Sequence, residues 1–223
     1  KKKSFKKADI KLICDESIFI NQDNYFSLDN SYGIFSKGNA FTCEIFNSNE
    51  IRYNYNNSLT IAEVFHGILN QPFAYLLYQR KNLSIHASAI QIIDDAFIFI
   101  GLSGGGKSYL VSELLEYGKL ITEDISRITF QDNTPYVNPS HCLMKLDNLN
   151  HTDEDFFLFN SKLSYDNRNR SSYSVKSKFI SKRPIELKAC FLLNFSNKFS
   201  IKELNEKESF AALMQSSFKS NPI

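Results

Sequence analysis

Between Asp9 and Ser58 short apolar and aromatic runs alternate with clusters of Asn, Asp, Ser and Gly. DIKLICD, YGIFSK, AFTCEIF and IRYNYN carry β-branched or aromatic residues in loose period-two alternation, which predicts strands. At Thr60 the period changes. Ile61, Val64, Phe65, Ile68 and Leu69 fall on one helical face, with Thr60 at the N-cap and Glu63 where a capping box requires it. Pro72 should kink or split this helix, since proline lacks an N–H and crowds the preceding turn; FAYLLYQR then continues it. SIHASAIQII and AFIFIG predict two strands joined by a turn at Asp94-Asp95, the second apolar on both faces like a central strand. A helix is expected over Ser108–Tyr117, stopped by Gly118, with a strand beginning at Leu120–Thr122. TPYVNPSH, with two prolines, predicts a loop, and the polar run SYDNRNRSSYSVKSK a mobile segment. Glu186 to Phe195 reads as a buried strand, and NEKESFAALMQSSF as a closing helix with Phe210, Leu213, Met214 and Phe218 on a shared face.

These elements predict an α/β protein: a β-rich N-terminal lobe with its connecting helix over 1–82, then an α/β core over 83–223 that contains the glycine-rich strand–turn–helix passage read below as a P-loop. The aromatic residues Phe19, Tyr25, Phe26, Tyr32 and Phe35 suit packing of that lobe at least as well as a peptide groove. At 223 residues and 43% hydrophobic content the chain can bury a core without disulfides or structural metal. Its 26 basic and 24 acidic residues nearly cancel, so no broad positive field favours nucleic acid, and KKKSFKK reads as a solvated terminus. Cys14, Cys43, Cys142 and Cys190 contain no CxxC pair, which argues against a zinc ribbon and for reduced thiols. No apolar run reaches membrane-spanning length and no signal-peptide pattern is present, so the expectation is a cytoplasmic protein with no membrane partner.

The chemistry concentrates in FIFIGLSGGGKSYLVSELL. Gly101, Gly106, Lys107 and Ser108 satisfy G-x-x-x-x-G-K-[ST], with Ser103, Gly104 and Gly105 completing the loop. An apolar strand enters at Ala96–Ile100, and an amphipathic helix leaves with Leu110, Val111 and Leu114 inward. The glycines let backbone N–H groups converge on one concavity, and helix N-terminal amides add positive potential. Lys107 would then reach the β- and γ-oxygens of ATP, and Ser108 would ligate Mg²⁺. A tight glycine turn between strand and helix is the other reading. LSGGG also spells the signature of transporter ATPases, but no separate Walker motif precedes it.

ITEDI supplies Glu123 and Asp124 one helix, one turn and one short strand after Lys107. Parallel strands flanking the loop's helix would bring both strand ends to one sheet edge, where ligands bind. An adjacent acid pair there can divide two tasks, holding Mg²⁺ and accepting the proton of an acceptor hydroxyl. Surface acids in a turn are the alternative. His86, in SIHASAI, lies on the strand before the glycine loop, either near the site or as a hydrogen-bonded core residue.

L-x-I-H-A-S-A-I, AFIFIGLSGGGKS, the helix ending ELLEYGK, and LITEDI together resemble the catalytic core of HPr kinase/phosphorylase and its smaller kinase relatives, including kinases of lasso-peptide precursors. The interval from His86 to Gly101 is the family's. The resemblance is strongest over Leu83–Ile128, extends more weakly over Pro135–Leu146 and KACFLLN, and covers roughly half of the chain; the helix ending LLYQRKNLSIHAS resembles the smaller relatives. It implies a fold akin to phosphoenolpyruvate carboxykinase and phosphate transfer to a serine hydroxyl. Gly101 to Ser108 would hold ATP, His86 would lie near the transferred phosphate, and Glu123 and Asp124 would supply the base and a metal contact; Ser108 and Asp124 are the metal candidates. Three features depart from the family. Glu123-Asp124 replaces its usual Asp-Asp pair after a loop one residue shorter, which leaves open which acid is the base. Tyr109 replaces the acid that follows the P-loop serine, and no glycine-rich, arginine-ending motif is present.

The mechanism expected is in-line transfer of the γ-phosphoryl group from Mg·ATP to a serine-type hydroxyl of a peptide or protein, a lasso-peptide precursor or another dedicated substrate rather than HPr. Arg168, Arg170 and Lys176 in the polar run either close over phosphates or belong to a solvated loop. A nucleotide-binding regulator without transfer, a kinase of free serine, and a carboxykinase-type enzyme are the competing classes. Relatives include oligomers, so self-association stays open, no interface patch being legible.

Overall fold

The computed structural model describes residues 9–147, 155–164 and 170–218. KKKSFKK, most of HTDED, and Arg168 lie outside the described residues. The chain divides into two compact units, 1–81 and 82–223.

The first unit contains β1 (Lys11–Cys14), β2 (Tyr25–Leu28), β3 (Tyr32–Ser36), β4 (Phe41–Phe46) and β5 (Glu50–Tyr55) in one sheet of order β1-β5-β4-β3-β2. β2 is a strand the alternation did not mark. Pairing is antiparallel except between β1 and β5. Period-two alternation sends Phe41, Cys43 and Ile45 of β4, with Ile51 and Tyr53 of β5, into one core. Val64 and Ile68 of α1 (Ile61–Ile68), with Tyr75 and Leu76 of α2 (Gln71–Gln79), cover that face. Each such buried side chain contributes about 1.5–3 kcal/mol. Thr60 and Glu63 form the reciprocal capping box at α1. Pro72 splits rather than kinks the helix: it sits in the first turn of α2, where its missing N–H has no intrahelical partner to lose.

The second unit is mixed α/β and β-rich. β6 (Leu83–Ile92), β7 (Asp95–Ile100), β9 (Ile125–Gln131), β10 (Thr134–Asn138) and β14 (Ile185–Leu192) pair around a closed ring. This is a small five-stranded barrel, and β8 (Lys119–Thr122) is attached to β6. Only β7 and β14 run parallel within the ring. A separate three-stranded antiparallel sheet holds β11 (Leu143–Leu146), β13 (Ser171–Val175) and β12 (Phe157–Lys162). The helix α3 (Lys107–Glu113) continues into a 3-10 turn over Leu114–Glu116 and packs on β6 and β11. Odd positions of β6, Ile85, Ala87 and Ala89, join Ala96, Ile98 and Ile100 of β7 in one core. Val111 and Leu115 join Ile90, Phe99, Leu120 and Met144 in another. No described helix is long and apolar enough to cross a membrane. All four cysteines are free thiols.

Five local expectations are corrected. The β6–β7 turn is Ile93-Asp94, because Ile92 already pairs with Asp95. TPYVN is the strand β10, not a loop: Pro135 pairs with β9 alone, and pairing with β14 is confined to Tyr136 and Val137. Part of the polar run is β13, whose Ser171, Ser172 and Val175 are buried between β11 and β12. β14 is not buried on both faces, since Glu186, Lys188, Cys190 and Leu192 alternate outward. Finally, α4 (Glu206–Ser216) turns Phe210, Leu213 and Met214 outward and buries Ala212 and Ser216. It lies on the alanine-rich stretches of β6 and β7, where small residues permit close approach.

Candidate functional site

The local geometry begins with β8 and β9, which run along β6 as one interrupted strand. Thr122 pairs with Ala89 and Ile125 with His86, so the register is continuous across the break. The interruption is Glu123-Asp124. The Ile125 N–H donates to the Glu123 carbonyl at 2.6 Å, and Asp124 between them has φ +59°. That is a γ-turn with a left-handed central residue, a strained arrangement that aspartate tolerates better than most side chains. Bonds from Thr122 Oγ1 to the Ile125 carbonyl (2.6 Å) and from the Ala87 N–H to the Asp124 carbonyl (3.3 Å) brace it. In a regular strand adjacent side chains point to opposite faces. The reversed residue lets both carboxylates serve the same side of the sheet, where His86 and Ser88 also project.

The second component is the loop from Gly101 to Gly106. Gly101, Gly104 and Gly106 have φ of +150°, +83° and +84°. A Cβ at Gly101 would lie 3.0 Å from the Leu193 carbonyl, whereas at Gly106 nothing lies within 4 Å. Lys107 is buried, and its ammonium donates to the carbonyls of Gly101 (3.0 Å) and Leu102 (3.1 Å), folded back over the loop it follows. The Ser108 hydroxyl donates to Glu123 Oε1 in a short hydrogen bond.

Both components face one cavity of about 350 Å³. Ser103, Gly104, Gly106, Lys107, Ser108 and Tyr109 form its floor, and His86 and Asp124 form one side. Gly101 and Gly105 shape the loop from behind and are not in the cavity wall, and Glu123 lies beneath, 1% exposed, against Ser108. The rest of the lining comes from the three-stranded sheet and its approach: Lys145, Leu146, Asp147 and Arg170. Arg170, from the polar run, thus reaches the cavity; Lys176 is not in the wall. Lys145, Leu146 and Asp147 are lining residues that sequence reasoning missed. Lys145 Nζ lies 2.9 Å from Asp124 Oδ2, while His86 Nε2 lies 3.7 Å from Oδ1. No local signal marks a lysine between Met144 and Leu146 as a site residue, because its partner comes from another sheet. His86 also stacks on Phe218, ring centroids 5.7 Å apart.

The two acids are held in opposite protonation tendencies. Burial pushes the Glu123 carboxyl up to about 7, reinforced by the neighbouring Asp124 charge and opposed by Ser108, Ser88 and Lys145. Burial also opposes ionisation of Asp124, but Lys145 and His86 outweigh it and hold that carboxyl well below its ordinary value. Glu123 Oε2 is buried and has no hydrogen-bond partner among the described residues. The Ser88 hydroxyl nearby favours the ionised form without closing a hydrogen bond to it.

No cluster of three or more His, Cys, Asp and Glu suited to a metal occurs among the described residues. A cation that enters with a polyphosphate needs fewer protein ligands, because phosphate oxygens and water complete its octahedron. Of the groups that line the cavity, the Ser108 hydroxyl fits that requirement, while Glu123 is buried behind it and outside the wall.

No family model matches the chain, and no curated protein sequence does. Among solved structures it is similar to the HPr(Ser) kinase/phosphatase from Coxiella burnetii. The superposition covers 55% of this chain and 72% of that one, at 16% identity and a TM-score of 0.38. Likeness at that level carries no argument about activity, so the functional reading has to stand on the side chains.

Proposed function

We propose that the unit from Asn82 onward is an ATP-dependent phosphotransferase whose acceptor is a serine-type hydroxyl on a peptide or protein. The observation that carries this reading is a convergence on one cavity. Lys107 sits at the end of a glycine loop, the Ser108 hydroxyl is tied to the buried Glu123 carboxyl, and a second carboxyl, Asp124, stands at a strained turn beside Lys145. What supports a P-loop reading is that Gly101, Gly104 and Gly106 have positive φ and that the Lys107 ammonium folds back onto the loop's own carbonyls.

In this reading Lys107 leaves the loop carbonyls for the β- and γ-oxygens of the nucleotide. Ser108, with Glu123 behind it, would hold the Mg²⁺ that accompanies ATP, and that ion would neutralise charge on the phosphates. The pairing of Ser108 with Glu123 favours Asp124 as the base, although the sequence leaves both acids open for that role and offers Ser108 and Asp124 for the metal. Asp124 orients the acceptor hydroxyl and takes its proton as the new P–O bond forms and the bond to the departing ADP breaks. His86 stands beside Asp124 at the transfer end. Catalysis of this kind is mostly positioning and electrostatics.

The test is intact-mass spectrometry after incubation with Mg·ATP and three acceptors in turn: serine-ending peptides, HPr and free serine. Lys107→Ala is the blank. A phosphoryl-sized mass gain on a peptide or protein, lost in Lys107→Ala, is expected. ATP bound but neither consumed nor transferred would instead support a nucleotide-responsive regulator, and transfer to free serine alone a small-molecule kinase.

A further inference from the structure

Lys145 has no part in the mechanism above, yet among the described residues it makes an ion pair with Asp124 at 2.9 Å inside the cavity. It reaches Asp124 from β11, in a sheet separate from the barrel, and both side chains are mostly withdrawn from solvent, at 16% and 17% exposure. A pair so placed loses hydration on both charges, so it is poor evidence for a purely stabilising role. Its geometry also obstructs the chemistry. Asp124 Oδ2 is occupied by the ammonium at 2.9 Å, and Oδ1 faces His86 at 3.7 Å. A carboxylate that shares its charge with an ammonium is a weaker base toward an incoming hydroxyl, and it gains basicity when the lysine turns elsewhere. The cavity that Lys145 lines is the one faced by Lys107 and Ser108, so the anion that would enter within its reach is the end of the polyphosphate.

Resting on the phosphotransferase reading, we infer that Lys145 exchanges Asp124 for the terminal phosphoryl group of the bound triphosphate, so that the three-stranded sheet senses that phosphate and its arrival unmasks the base. On this inference a diphosphate, one phosphoryl group shorter, leaves the Lys145–Asp124 pair closed. The device therefore distinguishes ATP from ADP and ties release of Asp124 to a loaded nucleotide. No bond is made or broken in the exchange; one ammonium changes anionic partner.

The experiment is isothermal titration of the full chain with the β,γ-imido analogue of ATP and, separately, with ADP, each with MgCl₂. Wild type, Lys145→Met, Lys145→Arg and Asp124→Asn are compared, with thermal melts confirming that each variant is folded. Lys145→Met is expected to weaken the triphosphate analogue about ten- to a hundredfold, the range for one charge-assisted hydrogen bond, and ADP by less than about twofold. Lys145→Arg should restore most of the preference. Asp124→Asn keeps a residue type that tolerates the left-handed backbone and frees the ammonium, so it should raise the triphosphate preference. Equal weakening of both nucleotides by Lys145→Met, or an unchanged preference in both Lys145→Met and Asp124→Asn, overturns the inference and leaves the phosphotransferase reading standing. A wild type that binds neither nucleotide overturns both.

Discussion

Replacing Glu123 by Gln tests the electrostatics of the site without any substrate. Glu123 is 1% exposed, and its carboxyl moves from an ordinary 4.5 to about 7 in the folded chain. Burial is the main cause, with the Asp124 charge adding to it. The sign follows from proton linkage. Between those two values the folded state holds a proton that the unfolded chain has released, so stability falls as pH rises through the window. Converted at 1.4 kcal/mol per tenfold, the loss approaches about 3 kcal/mol once the pH exceeds 7. Asp124 acts in the opposite sense and elsewhere: its lowered value gives stability that is present above its ordinary 3.8 and lost only as pH falls through the folded value. Between pH 5 and 8.5 Asp124 therefore stays ionised in both states, and the difference between the two proteins isolates Glu123. Gln keeps the shape and an acceptor oxygen for Ser108 but cannot ionise. Urea denaturation at pH 5, 7 and 8.5, without nucleotide or divalent cation, should show Glu123→Gln gaining on wild type by roughly 2–3 kcal/mol from the lowest pH to the highest. Parallel stability curves would refute the claim that this buried carboxyl is strained by its charge.

Three further outcomes test other parts of the structure. Lys107→Ala should abolish transfer and raise the Kd for ATP while the melting temperature stays within a few degrees; retained transfer would remove the glycine loop from the site. Ile93 is an exposed β-branched residue at φ +58° in a two-residue hairpin turn, so Ile93→Gly should stabilise the chain by about 0.5–1 kcal/mol in urea melts. A loss of stability there would mean that the turn is not strained. At Gly118 an added Cβ would lie 2.2 Å from the Gln91 carbonyl, which belongs to the β6–β8 pairing, so Gly118→Ala should cost roughly 2–3 kcal/mol and disturb the strand leading to Glu123. A neutral melt would show that this approach can relax.

Much of the candidate site could be assembled from sequence because the residues that come to line the cavity lie close together along the chain. The glycine loop, Lys107 and Ser108 occupy one strand–turn–helix passage, and Glu123 and Asp124 follow at the next strand. What alternation could not disclose is that adjacent acids serve one side of a sheet. That depends on the left-handed γ-turn at Asp124, and aspartate is compatible with such a turn without demanding it. The closing helix shows the opposite failure. Its period points to Phe210, Leu213 and Met214, the largest apolar side chains, yet the barrel accepts Ala212 and Ser216 because β6 and β7 present alanines there and the helix comes close.

By itself, then, the sequence determined the local events. These are the capping box at Thr60 and Glu63, the helix restart at Pro72, the apolar strand entering the glycine loop, and the helix that leaves it. All are decided within a few residues by backbone sterics and hydrogen-bond supply. Tertiary structure alone decided that β6, β7, β14, β10 and β9 close into a barrel, and that Lys145 and Arg170 from a second sheet complete the cavity. The physical reason is range. A cap or a turn is specified by neighbours along the chain, whereas the 2.9 Å contact between Lys145 and Asp124 exists only after two sheets have packed and excluded the water that would otherwise separate the charges.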